Sequence, residues 1–378
     1  MKKLFGVLGV LLLAGLAYFG LWPVPIEPVS WHAPAAPGYA GPHAVNHKLA
    51  KLNMIDLGAE AGPEHIAMGP DGKLYTTVES GRILRMQPDG SQQEVFAQTG
   101  GRVLGFDFDA RGHLIAADAV KGLLSIAPDK SIQLLTDKVA VNGQPDPIRY
   151  ADAVVVAQNG KMYLSDASTR FAPNDWGGTF EASVLDILEQ ASTGRVLEFD
   201  PANGRTRVVA SGLSFANGVA LSQDEKHLFV NETGKYRVWK IAVDANDLDI
   251  GQLNGRTSSQ PSPQARVLLD NLPGYPDNLM RGQGGKVWLG FAKPRGAAID
   301  NMAGKPWLRS LTLRLPRALW PIPQPYGHVI AFTDDGKVVA DLQDPSGAYP
   351  ETTAITETAD RLYVQSLHAH GLGWLPKP

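Results

Sequence analysis

IAMGPDGKLYTTV, residues Ile66 to Val78, reads as a short apolar strand, a polar turn at Asp71-Gly72, and a second apolar-aromatic strand. The chain repeats this phrase five more times. The copies are FDFDARGHLIAAD from Phe106, VVVAQNGKMYLSD from Val154, VALSQDEKHLFVN from Val219, NLMRGQGGKVWLGF from Asn278 and AITETADRLYVQS from Ala354. Each is a hairpin, with alternating apolar residues flanking a turn that contains Gly or Asp. Four-stranded units recurring about every 40–50 residues spell a β-propeller. The expected fold is all-β: a six-bladed β-propeller with an N-terminal transmembrane or signal helix and short helical cap insertions.

Two stretches break the strand rhythm. Within Arg170 to Gln190, FEASVLDILEQ places Phe180, Val184, Leu185 and Leu188 at helical spacing. From Asn301 to Pro325, WLRSLTLRLPRALWPIP mixes Trp307, Leu311, Leu315, Leu319 and Trp320 with Arg309, Arg314 and Arg317. Such insertions act as lids, cover a blade face, or lie on a membrane surface.

The N-terminus has its own logic. Lys2 and Lys3 precede an uncharged apolar run from Leu4 to Trp22, close to the roughly 20 residues that cross a bilayer. Gly15-Leu16-Ala17 offers a cleavage site, but the apolar run continues past it. The expected organisation is 1–22 membrane anchor or signal segment, 23–45 Pro-rich spacer holding the body off the membrane, and 46–378 six-bladed propeller. With the lysines inside, the propeller lies outside the cytoplasm (periplasmic in a bacterium). The alternative is secretion after signal cleavage.

Composition excludes several classes. A net charge of −3, with no basic stripe, argues against a nucleic-acid partner. Cys is absent, so there is no disulfide framework, thiolate nucleophile or zinc-thiolate site. No GxSxG elbow supports a serine-hydrolase triad.

The chemistry gathers just ahead of the hairpins. Glu64, Asn217 and Asp277 each stand immediately before an inner strand, at the end that converges on the propeller axis. Asp152 holds the same place before the third copy, and Asn278 adds an oxygen donor beside Asp277. Each alone has a structural reading: Asn217-Gly218 is a common turn dipeptide, and Asp277 after Pro276 can cap a hairpin. Together they are oxygen donors without His or Cys, which suits a hard cation such as Ca2+. Among the histidines, His65 should point away from Glu64 on an extended backbone. His328 is a further candidate. His368 and His370 share one face if their strand is regular, where they either line the pocket rim or are satisfied between blades.

GPEHIA, GRVLEFDPANG, FANGVALSQDEKHLFVNET and LPGYPDNLMRGQGGKVWLGF carry a resemblance. Over roughly Asn53 to Leu375 the chain resembles the strictosidine synthase-like branch of the calcium-dependent six-bladed propellers. Its neighbours are the gluconolactonase and senescence-marker proteins and the paraoxonases, and adipocyte plasma membrane-associated protein-like members look nearest. The resemblance implies Ca2+ as cofactor, with Glu64, Asn217 and Asp277 on ligand positions. The family's remaining ligand is often an Asn followed by Asp. Here that place reads Ala151-Asp152, so Asp152 substitutes, a water fills the gap, or calcium is bound more weakly.

Strictosidine synthase itself uses a glutamate near the start of the last blade. The resemblance puts Thr353 there, with Glu351 and Glu357 out of register, so condensation with an amine is not expected. The expected function is calcium-dependent hydrolysis of a small-molecule lactone or ester, arylesterase- or lactonase-like. Asp277, His368 and His370 are the catalytic candidates. The alternative is a non-catalytic binding or scaffold propeller with a structural calcium.

Overall fold

In four of the six repeats the turn closes by its own side chain. The carboxyl or amide oxygens of Asp71, Asp109, Asn159 and Asp224 accept the backbone N–H two residues on. Gly72, Gly112 and Gly160 follow with φ of +73°, +79° and +85°, a left-handed backbone that favours glycine. The computed structural model describes residues 2–253 and 262–377. Of the expected 46–378 propeller span, 254–261 and Pro378 lie outside the described residues, as does Met1 of the anchor segment.

Each quoted hairpin supplies the two inner strands of one blade. The six inner pairs begin at Ile66–Met68, Val103–Phe108, Ala151–Val156, Ala216–Leu221, Gly274–Arg281 and Thr352–Glu357. Two outer strands complete each antiparallel sheet, and the third blade adds a short parallel strand, Leu248–Asp249. Closure comes from outside the repeat: Asn53–Ile55 pairs with Leu372–Pro376, Asn53 opposite Trp374 and Ile55 opposite Leu372. That contact joins the start of the propeller to its last blade and protects the edge strand. The core lies between blades, as where Val196 and Val209 of the third meet Leu228, Val230 and Trp239 of the fourth.

Both expected insertions are helical. Pro173–Trp176 and Thr179–Glu189 fall between the second and third strands of the third blade. Ala297–Met302, Pro306–Arg314 and the short turn Arg317–Leu319 fall at the equivalent place in the fifth. A second strand ends where its first strand began, so both insertions rise over the axial end that carries Glu64, Asp152, Asn217 and Asp277.

The Pro-rich segment behaves differently from a free spacer. Val29 N–H donates to Glu189 O at 2.8 Å, and Trp31 N–H donates to Ala303 O at 3.1 Å. Ile26 is buried against Leu104, Tyr150 and Phe171. Residues 24–46 therefore strap across the two insertions and the fifth blade. Proline keeps this chain extended, and its free carbonyls find donors on the body.

Arg309 pins the arrangement. Its side chain is 1% exposed, and its guanidinium donates to the carbonyls of Leu188, Glu189, Val29 and Ala303. One cation thus ties both insertions to the strap. Arg309→Ala orphans buried carbonyls worth about 1–3 kcal/mol each. Thermal melts should show a drop of several degrees, against no measurable change for the exposed Arg317→Ala.

Candidate functional site

Five oxygen-bearing residues occupy one structural position in different blades. Counting back two residues from the first regularly paired apolar residue of each inner strand gives Glu64, Leu104, Asp152, Asn217, Asp277 and Thr353. In five blades the strand register shifts across this residue, as between Ala151 and Val154, Ala216 and Val219, and Pro276 and Leu279. An extra residue at the end of a strand re-aims its side chain. Glu64, Leu104, Asp152, Asn217 and Asp277 all line one cavity over the axis. Thr353 instead donates its hydroxyl to the Glu64 carbonyl at 2.8 Å.

The backbone of these residues is tied across the axis. Asn278 Nδ2 donates to the Glu64 carbonyl at 3.0 Å, so Asn278 braces the site rather than facing the cavity. Asn231 Nδ2 donates to the Asp277 carbonyl. At Gly218 any added Cβ would lie 2.5 Å from the Asp277 carbonyl oxygen, so the inner strands touch without side chains there.

The electrostatics are those of excess buried negative charge. Glu64, Asp152, Asn217 and Asp277 are all buried. Burial, then repulsion from Asp277 and Glu64, pushes the Asp152 carboxyl well above its ordinary range. Asp277 is likewise raised by burial and then by Glu64, against a hydrogen bond with Asn217. Burial also raises Glu64, opposed by Arg102, whose Nη2 lies 2.7 Å from Oε2. The Asn217 Oδ1 is buried and has no donor among the described residues. Three crowded carboxyls and an orphaned amide oxygen fit a hard cation.

Among the described residues, the His/Asp/Glu triad whose ligand atoms all lie within 4.8 Å is elsewhere: His43 of the N-terminal strap against His328 and Asp341 on the outer strands of the fifth blade. The axial carboxylates do not meet that spacing. Arg102 draws Glu64 aside, and like charges hold apart.

The histidines separate. His65 turns away from the cavity onto Phe106, with ring centroids 4.7 Å apart, and burial lowers it to about 4. His328 Nε2 donates to Asp341 Oδ2 at 2.9 Å and is remote from the axis. His368 lines the cavity with Glu64 and Asp277. His370 does not: it bridges to Ala61 and lines an outer cleft with Leu49 and Tyr349. The pairing of His368 with His370 assumed a regular strand. The strand ends at Ser366, whose Oγ accepts the N–H groups of His368 and Ala369. Both residues border that outer cleft, and of the two only His368 also lines the axial cavity.

Glu351 is the cavity residue that sequence reasoning missed. It precedes the last inner strand at a left-handed φ of +53° and lines the cavity beside Lys293 and Asp277. Its carboxylate takes His368 Nδ1 on one side and Lys293 Nζ on the other. Burial alone would raise Glu351, but the His368 and Lys293 hydrogen bonds outweigh it and hold it low. The same bond to Glu351 raises His368. Glu357, by contrast, pairs with Lys286 and Lys377 away from the cavity.

A raised histidine stabilises the fold fully below its unfolded value of about 6.5, and that contribution is lost as pH rises through the higher folded value. Melting temperature should therefore fall as pH climbs from about 6.5 upward. His368→Gln should flatten that fall, and an unchanged profile would remove the ion pair from the account.

Comparison with known proteins places these features. The strictosidine synthase-like N-terminal family model matches residues 41–86, and the strictosidine synthase model matches 152–246. Protein strictosidine synthase-like 6 of Arabidopsis thaliana is 31% identical over 346 residues, covering 87% of this chain and 83% of that protein. The adipocyte plasma membrane-associated protein of Salmo salar is 28% identical over 362 residues, covering 90% and 81%. In fold, a gluconolactonase from Xanthomonas campestris superposes with a TM-score of 0.59 at 18% identity, over 93% of this chain and all of that one (100%). Regucalcin from Agrobacterium tumefaciens, described as a calcium-binding protein, gives 0.55 at 14%, over 85% and 92%. Fold and relatives agree: the chain belongs to the strictosidine synthase-like family of six-bladed β-propellers.

Proposed function

We propose that this protein is a calcium-dependent hydrolase of a small lactone or ester, tethered by its N-terminal helix with the propeller outside the cytoplasm. The observation that supports it most is the repeated position: four of six equivalent inner-strand ends bring oxygen donors into one cavity. Glu64, Asp152, Asn217 and Asp277 are the residues to hold the ion. When bound, Ca2+ supplies a Lewis acid for the substrate carbonyl.

The chain's own groups do the rest. Glu351 fixes His368 through Nδ1, leaving Nε2 to take a proton from the attacking water. The water oxygen bonds to the carbonyl carbon, the carbon–oxygen bond of the ester or lactone breaks, and His368 returns the proton to the departing alkoxide. Asp277 stands at the junction of the polar cavity and an apolar arm and is the second group placed to accept that proton. Amine condensation is not proposed, because Thr353 stands where the resemblance places the condensing glutamate and donates its hydroxyl to the Glu64 carbonyl.

The neighbours named for gluconolactonase and calcium binding support this chemistry by analogy of fold. An aryl ester and lactone panel, assayed on the full chain with chelator and with calcium restored, tests it. Chelator-sensitive turnover is expected. An inert protein that melts higher with calcium would favour a scaffold propeller with a structural ion.

A further inference from the structure

We propose that the cover over residues 297–322 and the N-terminal helix form one membrane-facing surface, and that the cavity receives through it an ester or lactone with a long hydrocarbon arm. The substrate half rests on the hydrolase reading above; the membrane half does not.

The helix Lys2–Leu21 carries no charge after Lys3, and none of its apolar window is buried in the protein. The last carbonyls of any helix lack partners within it. Here the cover supplies them: Arg314 Nε donates to Trp22 O at 2.8 Å, and its Nη1 donates to Phe19 O at 3.1 Å. Tyr18, Phe19 and Trp22 cluster at the same level, the aromatic belt that marks a bilayer interface. Ile26 is already buried in the body, and four residues reach at most about 14 Å. The body therefore cannot stand off from the end of the helix.

The cover is built for that place. Trp307 is 65% exposed, Leu319 64% and Ile322 42%. The one acid within 297–322, Asp300, is paired with Arg295 and the Tyr236 hydroxyl, while Lys305, Arg314 and Arg317 leave the cover cationic. Apolar side chains among cations suit the headgroup region of an anionic bilayer. Beneath them, Phe180, Val184, Ile187, Ile299, Trp320 and Ile322 line an apolar arm of the cavity that ends at Asn217 and Asp277. The arm thus joins the membrane-facing cover to the candidate site, and a hydrocarbon chain is the ligand that matches its walls.

The chain has no native Cys, so single nitroxide labels report depth. Trp307→Cys, Leu319→Cys and, as a control on the second blade's outer strand, Ile132→Cys are labelled in the full chain. Each is placed in phosphatidylcholine–phosphatidylglycerol vesicles. Labels at 307 and 319 should be relaxed by oxygen and shielded from an aqueous nickel chelate, and the label at 132 the reverse. Equal nickel access at all three positions overturns the membrane face. For the substrate, the double variant Trp307→Asp/Leu319→Asp should lower turnover of a vesicle-held long-chain aryl ester by about tenfold or more, the scale of losing buried apolar contact with the bilayer. Aryl acetate turnover should hold. Equal change in both esters, or in neither, overturns the substrate class. A wild type inert on both removes the hydrolase reading and the substrate class with it, and the labels still decide the membrane face.

Discussion

Asp277→Ala is expected to lose bound calcium and hydrolysis together while keeping the β-sheet circular dichroism of the wild type. Asp277 is buried at the register shift of the fifth blade, beside Asn217 and repelled by Glu64. Removing it takes away one of three carboxylates and leaves the Asn217 amide without its partner. The alanine also relieves buried repulsion, so the ion-free variant should melt no lower than ion-free wild type. Calcium should then raise the wild-type melt and not the mutant's. An ion bound only by the folded state stabilises it by about 2.7 kcal/mol at a hundredfold excess over Kd. Normal calcium content in Asp277→Ala by elemental analysis would sink the assignment.

The second large effect concerns proton transfer. His368→Gln should lower hydrolysis by about 10²–10⁴-fold with calcium content unchanged, the usual worth of a positioned general base. Glu351→Gln is the sharper probe, because Glu351 acts through His368. Its bond to Nδ1 raises the imidazole, so the neutral base forms only at higher pH. The wild-type rate should rise with pH through that raised value, and Glu351→Gln should move the midpoint down toward the ordinary histidine value of about 6.5. A variant with lower rate and an unmoved midpoint would make Glu351 structural.

The architecture was legible because its signals are local. An Asx turn in four of the hairpins and alternating apolar residues in all six fit within the repeat, and the blades follow. The four axial residues were legible for the same reason, since each stands two positions ahead of an apolar strand start. What the repeat could not show is what crosses it. Asn53–Ile55 closes the ring against a strand some 320 residues away in sequence. Arg102, Lys293 and Glu351 line the cavity from strand ends with no local mark, and Glu351, two residues ahead of the axial position held by Thr353, takes a left-handed φ that the repeat does not signal. His370 was misplaced by assuming that alternation continued past Ser366. The proline-rich strap read as a spacer because composition gives stiffness, while docking depends on donors such as Arg309 far along the chain.

The most direct test is the hydrolysis rate of the full chain, stripped with chelator, as calcium is restored. The account predicts no turnover without the ion and a saturable return that ends at one calcium per chain. Turnover that survives complete stripping, or a calcium-loaded chain inert across aryl esters and lactones, would contradict it.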